Sequence, residues 1–468
     1  MLLLLCMSFP TIPYVYDYKI KQICITNEKF YMFFCITNEN YVYLQTKSTE
    51  MNKEIIANII REGQDFIPEI QLYRRQAEYE AQGNYVFVGV RQCGKSYMLY
   101  QRIQQLLEEG HDIRKMVYVN FDDERLQAIK ADELDLILQA YGTMNDEKPF
   151  LFFDEIQNVD GWEHFARRLA NQKYQVFITG SNARMLGRDI ATTLGGRYWT
   201  RNVYPFTFNE YLGSLGIALD KQWFYSSRTR ATVERAFDNY FHFGGFPEVR
   251  TLVAKRLWLN DIYNKIFFSD LVVRNKIRNE AALRLTVRRL AESVKQPLAY
   301  NRISNLVKST GVNCQPNTVM DFITFLRDAC ILFSLKNYTS KFSERETIKK
   351  HYFVDNGLLN IFLNNDQTSL LENLCAIHLY QRYGNEQLYF YNKNVEVDFY
   401  LPEKHTAIQA CYSMGDTNTS EREINALLKL HSFEPLEQAL IITRDEESTI
   451  KRGNLTIEVK PIWKWLLE

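Results

Sequence analysis

Eight consecutive residues have the spacing G-x-x-x-x-G-K-S, which is typical of a loop that cradles phosphate groups. They are Gly89, Val90, Arg91, Gln92, Cys93, Gly94, Lys95 and Ser96. Glycine lets backbone N–H groups curl around a β-phosphate, and the N-terminus of a following helix adds a favourable dipole. Lys95 is expected to reach the β- and γ-phosphates, and the Ser96 hydroxyl to ligate Mg²⁺. The sequence therefore predicts a site for ATP and Mg²⁺.

Two adjacent carboxylates follow an apolar strand later in the chain. Phe150–Phe153 is a run of four apolar residues, and Asp154 and Glu155 come directly after it. Ligands bind beyond the carboxyl ends of the strands in an open α/β sheet, so both side chains are expected beside the phosphate loop. Asp154 would hold Mg²⁺ through water, and Glu155 would orient and deprotonate the attacking water. The alternative for an Asp-Glu pair alone is a solvated strand end.

Two further side chains are candidates for the γ-phosphate end of this site. A predicted strand ends in Gly180-Ser181-Asn182, where Asn182 or Ser181 could contact both the γ-phosphate and the lytic water. Gly-Ser-Asn is also common turn chemistry. Arg197 follows two glycines, which suits an arginine that neutralises charge in the transition state. An ordinary surface salt bridge is the alternative role for Arg197.

Short apolar runs predict the scaffold that would position these residues. Tyr85–Val88, Met116–Val119, Phe150–Phe153 and Gln175–Thr179 are separated by helical patterns. Continuous apolar runs of this kind are typical of parallel strands covered on both faces, so an α/β nucleotide-binding domain is expected. The pattern is mostly helical from residue 216 to 350 and mixed after residue 351.

These segments together resemble a large bacterial and archaeal family that joins an AAA-type ATPase to a C-terminal domain of uncharacterised function. The resemblance is carried by Gly89–Ser96, Asp154–Gln157 with Trp162, Thr179–Asn182, Leu194–Arg197, Pro205–Tyr211, Gly244–Glu248 and Tyr352–Leu358. It covers nearly everything from Met51 to the C-terminus. It implies an AAA-type P-loop NTPase fold with a parallel sheet that binds ATP, and it implies no known substrate.

The expected organisation has an N-terminal extension followed by four parts. Residues 1–50, which contain Cys-Ile-Thr-Asn-Glu twice, are expected to lie upstream of a working protein that begins near Met51. The AAA-type ATPase is expected at 51–215, a helical lid or linker at 216–290, a winged helix-turn-helix at 291–350, and an α/β domain at 351–468.

The segment 296–335 has the layout helix, turn, capped helix and strand, which is typical of a winged helix-turn-helix. Similar members of the family carry one here. Arg302 and Lys308 favour contact with phosphates, whereas Asp321 and Asp328 make the second helix less basic. Such a module could read DNA or bind protein partners, and both remain open.

Charge is unevenly distributed although the net charge is zero. Residues 271–350 hold 15 basic and 6 acidic side chains, and residues 351–468 hold 10 and 17. A basic stretch is a candidate footprint for duplex DNA. The alternative is that this stretch docks against the acidic C-terminal segment.

The last domain resembles the restriction-endonuclease-like fold in a degenerate form. Glu372 lies on a predicted helix, and Glu396 and Asp398 lie on a strand. Where that fold places Glu-x-Lys, this chain has Gln409 and Cys411. Phosphodiester cleavage with Mg²⁺ needs carboxylates and a lysine. We therefore expect this domain to be inactive as a nuclease.

Composition excludes several classes of protein. With 468 residues, 46% of them hydrophobic and 24% charged, the chain suits about three folded domains rather than a disordered or collagen-like protein. No apolar run reaches the length of a membrane-spanning helix. The eight cysteines show no C-x-x-C spacing, which is typical of reduced thiols in a cytoplasmic protein.

Three functions are consistent with these observations. The first is an ATPase whose nucleotide state repositions its C-terminal domains, with duplex DNA bound through residues 271–350. The second is a nucleotide-gated switch that binds protein partners, and the third is an ATP-dependent nuclease. A homo-oligomer is compatible with each of them, because Arg197 could complete the site of a neighbouring subunit.

Overall fold

The computed structural model describes residues 32–37, 40–45, 52–181, 193–220 and 222–468. The strands are β1 (Met32–Thr37), β2 (Asn40–Gln45), β3 (Tyr85–Val88), β4 (Met116–Asn120), β5 (Phe150–Asp154), β6 (Gln175–Gly180), β7 (Trp199–Asn202), β8 (Leu298–Ala299), β9 (Leu332–Asn337), β10 (Ile348–Phe353), β11 (Tyr389–Asn392), β12 (Glu396–Leu401), β13 (Thr406–Ala410), β14 (Gln438–Thr443), β15 (Ser448–Arg452) and β16 (Leu455–Pro461). The helices are α1 (Lys53–Phe66), α2 (Lys95–Glu108), α3 (Asp135–Gly142), α4 (Trp162–Asn171), α5 (Phe208–Ser214), α6 (Ser227–Phe243), α7 (Lys255–Lys265), the π-helical α8 (Ile266–Val273), α9 (Glu280–Glu292), α10 (Tyr300–Ser309), α11 (Pro316–Asp328), α12 (Phe342–Thr347), α13 (Asn356–Asn360), α14 (Gln367–Gln387), α15 (Thr417–Phe433) and α16 (Ile462–Trp465).

A five-stranded parallel sheet in the order β4-β5-β6-β3-β7 carries the predicted phosphate loop. The four apolar runs identified in the sequence are its first four strands along the chain. The edge strand β7 was not predicted, because its residues Trp199–Asn202 are exposed and partly polar. Such a strand lacks the apolar signal of a buried one.

Alternating side chains on β3 pack on the two faces of this sheet. Tyr85 and Phe87 belong to a hydrophobic core shared with α2, α5 and α6, while Val86 and Val88 face a second core with α1, α3 and α4. Both faces are therefore covered by helices, as parallel sheets require. The carboxyl ends of β3, β5 and β6 then meet at one edge, where the polar residues lie.

A second sheet of nine strands has the order β15-β16-β14-β13-β12-β11-β9-β10-β8. Strands β8, β9 and β10 come from the segment expected to be a winged helix, and β9 pairs in parallel with β11 of the final domain. The expected boundary between residues 350 and 351 falls inside β10. The two segments thus share one continuous sheet.

The N-terminal part that the structure describes is a β-hairpin. β1 and β2 pair antiparallel, with Met32 opposite Gln45 and Thr37 opposite Asn40. Across the described ranges, no helix has the length and apolar content needed to span a membrane.

Candidate nucleotide-binding and hydrolysis site

The phosphate loop connects β3 to α2. It contains two glycines at positions that disfavour any other residue. A Cβ atom on Gly89 would stand 2.0 Å from the carbonyl oxygen of Val203, so the loop packs against the chain that follows β7. Gly94 has φ +101°, a conformation that disfavours other residues, and α2 begins at the next residue. The loop therefore leads directly into the N-terminus of α2, an arrangement that suits anion binding.

Lys95 and Glu155 form an ion pair across the candidate site. Their charged atoms are 3.4 Å apart, and their side chains are 3% and 13% exposed. Burial opposes ionisation of Glu155, but the charge of Lys95 and the hydrogen bond from Gln157 outweigh it and lower its pKa. Burial likewise disfavours the charged form of Lys95, yet the carboxylates around it raise its pKa. Both groups are therefore ionised, and the glutamate is the counter-ion of the lysine.

The backbone of Glu155 is held in a conformation uncommon for a non-glycine residue. Its φ is 51° and its ψ is 40°, in the left-handed region. The Glu155 N–H donates to the Thr179 hydroxyl at 2.9 Å, which fixes this turn at the end of β5. Strained backbone conformations of this kind concentrate at functional sites because the surrounding structure enforces them. In this conformation the Glu155 carboxylate lies 3.4 Å from the Lys95 ammonium group.

Asp154 is buried at the centre of a hydrogen-bonded network. The Tyr118 hydroxyl donates to its Oδ2 at 2.8 Å, and the Thr179 hydroxyl donates to its Oδ1. Burial and the neighbouring Glu155 raise the pKa of Asp154, while hydrogen bonds from Thr179, Ser96 and Tyr118 act in the opposite direction. A hydroxyl and a carboxylate beside a phosphate loop suit Mg²⁺, which prefers oxygen ligands and retains waters. Ser96 and Asp154 thus fit the predicted metal site.

A cavity of about 570 Å³ opens over the phosphate loop. Lys95, Ser96, Asp154 and Glu155 line it together with residues that the sequence analysis did not assign to the site. These additional lining residues are Gln71, Leu72, Tyr73, Arg75, Tyr97, Met98, Tyr100, Gln101, Asn120, Asp122, Phe206, Pro247, Glu248, Arg250, Thr251 and Lys265. Several of them come from the segment after the Gly244–Gly245 turn, which packs over the mouth of the site. The paired glycines were a sequence signal for that turn, but not for the packing of the next residues over the cavity.

Arg91 connects the phosphate loop to the helical region. Its Nε lies 2.5 Å from Oδ2 of Asp270 on α8, and its second guanidinium nitrogen lies 3.1 Å from Oδ1. Asp270 is 3% exposed and also pairs with Arg274 at 3.0 Å. A bidentate, largely buried pair of this type fixes geometry as well as adding energy. The two partners are 179 residues apart in the sequence, so the sequence analysis could not predict this contact.

The remaining candidates for catalysis, Ser181, Asn182 and Arg197, differ in where the structure places them. Ser181 is buried, and its hydroxyl lies 3.4 Å from the Gln157 amide, while Asn182 lies outside the described residues. The Arg197 guanidinium donates to Asn171 at 2.7 Å and to the carbonyl oxygens of Leu194 and Gly195. Arg197 does not line the nucleotide cavity of its own chain. In the described residues, Arg197 is therefore engaged by Asn171 and two backbone carbonyls beside the sheet, and its role in catalysis stays a prediction.

The four residues of the predicted nuclease-like site have two different roles. Glu372, Glu396 and Asp398 surround the ammonium group of Lys350, a residue the sequence analysis did not place there. Gln409 instead braces β12: its oxygen accepts from the Asp398 N–H at 2.8 Å, and its amide donates to the Glu396 carbonyl at 3.3 Å. Both polar ends of Gln409 are thus engaged by the backbone.

The charge of residues 271–350 is partly neutralised from within the chain. Lys295 pairs with Asp366, and Lys350 pairs with three carboxylates beyond residue 350. Lys336 and Lys349 both pair with Glu346 inside the segment. Docking against the acidic C-terminal segment therefore accounts for part of the asymmetry.

Comparisons with known proteins agree with this geometry. The sequence profile of an AAA domain matches residues 82–212, and that of a domain of unknown function, DUF8612, matches residues 234–369. An uncharacterized protein of Methanocaldococcus jannaschii is 32% identical over 442 residues, which cover 91% of this chain and 98% of that protein. The chain belongs to the family of this archaeal protein. An uncharacterized protein of Haemophilus influenzae is 28% identical over 392 residues, which cover 82% of this chain and 94% of its own length.

Solved structures give looser likenesses. The Walker-type ATPase of Pyrococcus abyssi aligns over 67% of this chain and 95% of its own, with a TM-score of 0.36 and 12% identity. DnaA from Aquifex aeolicus bound to AMPPCP aligns over 59% and 88%, with a TM-score of 0.25 and 13% identity. The AAA match and the parallel sheet confirm the expected α/β P-loop NTPase fold and its assignment to nucleotide binding.

Proposed function

We propose that this protein is a Mg²⁺-dependent ATPase whose nucleotide state repositions its C-terminal domains on duplex DNA. One observation carries the coupling part of this proposal. Arg91 belongs to the phosphate loop, yet its guanidinium is held by Asp270 of α8. A movement of the loop on nucleotide binding would therefore act directly on the helical region.

Hydrolysis would use the residues at the ends of β3 and β5. Lys95 would exchange its contact with Glu155 for the β- and γ-phosphates, and Ser96 and Asp154 would hold Mg²⁺. When bound by these residues, Mg²⁺ would supply neutralisation of the negative charge of the phosphates. Glu155, released from Lys95, would then accept a proton from the attacking water. The Thr179 hydroxyl would hold the Asp154 carboxylate and the backbone of Glu155 in their positions during hydrolysis.

A second contact supports communication between the nucleotide cavity and the C-terminal half. The Gly245 N–H, just before the cavity-lining Pro247, donates to Oδ2 of Asp355 at 2.7 Å. Oδ1 of the same carboxylate caps α13 through the N–H groups of Gly357 and Leu358. The segment over the nucleotide cavity and the chain after β10 thus share one buried carboxylate. A displacement of either segment would therefore alter the hydrogen bonds of the other.

We assign the segment from α10 to the end of β10 to a winged-helix-like unit, and the chain after β10 to a degenerate restriction-endonuclease-like unit that shares its sheet. The order of α10, α11, β9 and β10, with β8 paired to β10, supports the first assignment. Arg302, Arg327 and Lys341 are exposed on this unit. Exposed cations of this kind suit phosphate contacts, which supports DNA as the partner.

The test is the ATPase rate of the full chain with and without duplex DNA, over a range of salt concentrations. We expect stimulation that weakens as salt rises, because phosphate contacts release counterions. Replacing Arg302 and Arg327 by alanine should remove the stimulation and leave the basal rate unchanged. Lys451→Ala, which removes an exposed lysine from β15, is the matched control and should respond to DNA normally.

The outcome also separates the rival functions. Basal hydrolysis that DNA does not change at low salt would contradict the DNA proposal and favour a switch that binds protein partners. Absence of hydrolysis in the native chain, with ATP still bound, would contradict the ATPase itself. Lys95→Ala provides the baseline for both measurements, since it should no longer bind ATP.

A further inference from the structure

Two tyrosines form a hydrogen-bonded pair beside the buried carboxylate of the candidate hydrolysis site. Tyr118 on β4 donates its hydroxyl proton to Oδ2 of Asp154 at 2.8 Å. The hydroxyl oxygen of Tyr100 on α2 lies 3.1 Å from that of Tyr118. A tyrosine hydroxyl has one proton to donate, and Tyr118 gives its proton to the carboxylate, so it accepts from Tyr100. The pair is therefore a directed chain of hydrogen bonds that ends on Asp154.

The register of the sheet brings Tyr118 within reach of Asp154. β4 and β5 are parallel neighbours, with Tyr118 opposite Phe152 and Asn120 opposite Asp154. Residues two apart on a strand lie on the same face of the sheet, so Tyr118 and Asp154 share one face. The phenol ring spans the diagonal between them and ends in the hydroxyl that the carboxylate accepts from.

Close packing holds the ring of Tyr118 in one orientation. Its centroid lies 5.3 Å from that of Tyr100 and 6.2 Å from that of Phe66, with the rings inclined at 61° and 82°. α1 passes so near that a Cβ atom on Gly63 would stand 3.4 Å from Cδ1 of Tyr118. Tyr118 is 5% exposed. Its hydroxyl is therefore held at the carboxylate by the packing of the domain.

Asp154 is thereby hydrogen-bonded on both oxygens. The Thr179 hydroxyl donates to Oδ1, and the Tyr118 hydroxyl donates to Oδ2. Rotation of the carboxylate would break both bonds in a place where Asp154 is only 1% exposed and water cannot replace them. A carboxylate has about four acceptor positions, so positions remain for Ser96 and for a water bound to Mg²⁺. Tyr118 and Thr179 together fix the plane in which those positions lie.

We propose that Tyr118 is a positioning residue of the Mg²⁺ site and acts by fixing the carboxylate plane of Asp154. Mg²⁺ demands near-ideal octahedral geometry, so a carboxylate that is free to rotate serves it less well. Removal of a side chain that orients a metal-binding group typically lowers metal affinity 10–100-fold. A tyrosine within an apolar strand is typical of a core residue, so the sequence analysis did not identify Tyr118. This inference rests on the proposed function, because it requires Asp154 to serve Mg²⁺ bound with the nucleotide.

The experiment compares the binding of metal and of nucleotide by the full chain. Tyr118→Phe keeps the packed ring and removes only the hydroxyl. The affinity of the ADP complex for Mn²⁺, followed by electron paramagnetic resonance, should fall at least about tenfold. The affinity for ADP in EDTA should keep its native value, because Lys95 and the phosphate loop are unchanged. The Mg²⁺ concentration that gives the half-maximal ATPase rate should rise by the same factor as the loss of Mn²⁺ affinity.

Tyr141→Phe is the matched control. Tyr141 is a buried tyrosine on α3 of the same domain, and its hydroxyl has no hydrogen-bond partner within the described ranges. This variant should bind ADP and Mn²⁺ as the native chain does. Asp154→Asn should lose Mn²⁺ binding in the ADP complex, which identifies the site that the titration measures.

Three results would overturn the proposal. Native affinities of Tyr118→Phe for both ADP and Mn²⁺ would show that the hydroxyl does not position Asp154, and the ATPase would stand. Equal losses of the two affinities would show that the hydroxyl serves the fold and not the metal. A native chain that binds ADP without Mn²⁺ would contradict the Mg²⁺ site of the proposed function itself. If Tyr118→Phe does not fold, Tyr100→Phe removes the donor to Tyr118, and the first two outcomes apply to it.

Discussion

Replacement of Glu155 by glutamine should separate the two roles of this side chain. The change removes the proton acceptor of the proposed hydrolysis, so turnover should fall by roughly 10²–10⁴-fold. It also removes the counter-ion of Lys95 in the nucleotide-free protein. The same substitution should therefore make ATP bind more tightly while hydrolysis is lost.

The size of the affinity change follows from the geometry of the ion pair. The charged atoms are 3.4 Å apart, and the two side chains are 3% and 13% exposed. A hydrogen bond to a charged group contributes about 1.5–3 kcal/mol, and ATP must displace this contact to reach Lys95. Without the competing carboxylate, the Kd for ATP should fall roughly ten- to hundredfold.

The assay is equilibrium binding of ATP with Mg²⁺ by calorimetry, together with single-turnover hydrolysis. Glu163→Gln, which changes a carboxylate on α4 away from Lys95, is the matched control and should alter neither quantity. Hydrolysis at the native rate by Glu155→Gln would refute the assignment of the base. An unchanged or weaker affinity for ATP would refute the competition between Glu155 and the phosphates.

The other predictions concern assembly, the extension and pH. Arg197→Ala and Lys95→Ala should each be inactive alone and recover ATPase activity when mixed, whereas co-assembled mixtures that stay inactive would exclude an arginine acting between chains. A protein that starts at Met51 should fold and hydrolyse ATP like the full chain, and loss of soluble protein would contradict this. Burial raises the pKa of Asp355 to about 6, so its stabilising contribution is complete below its ordinary value near 3.8 and is lost as pH rises through 6. Asp355→Asn should therefore gain about 3 kcal/mol relative to the native chain between pH 4 and pH 7 in urea unfolding, and a pH-independent difference would contradict the cause given.

The nucleotide site could be predicted because its signals are local. Gly89 to Ser96 specify a loop between a strand and a helix within eight residues, and Asp154 and Glu155 follow directly on an apolar strand. Parallel sheets align such strand ends at one edge, so spacing along the chain translates into proximity in space. The structure accordingly brings Lys95 and Glu155 into contact.

Contacts between distant segments could not be predicted in the same way. Arg91 and Asp270 are separated by 179 residues, and nothing in either neighbourhood indicates the other. In the C-terminal domain the absence of Lys at position 411 suggested a site without a lysine, but Lys350 enters it from β10. Sheet order decides which strand supplies a side chain, and one sequence does not determine that order.

The continuous nine-stranded sheet restricts how this protein could have been assembled in evolution. Because β10 and β9 connect the helical segment to β11, the stretch from residue 298 to residue 461 cannot be divided without leaving unpaired strand edges. Recombination that exchanged only the last domain would break backbone hydrogen bonds and separate Lys350 from its carboxylates. Inheritance of the C-terminal half as a single piece, with its lysine and its acids together, is the expected consequence.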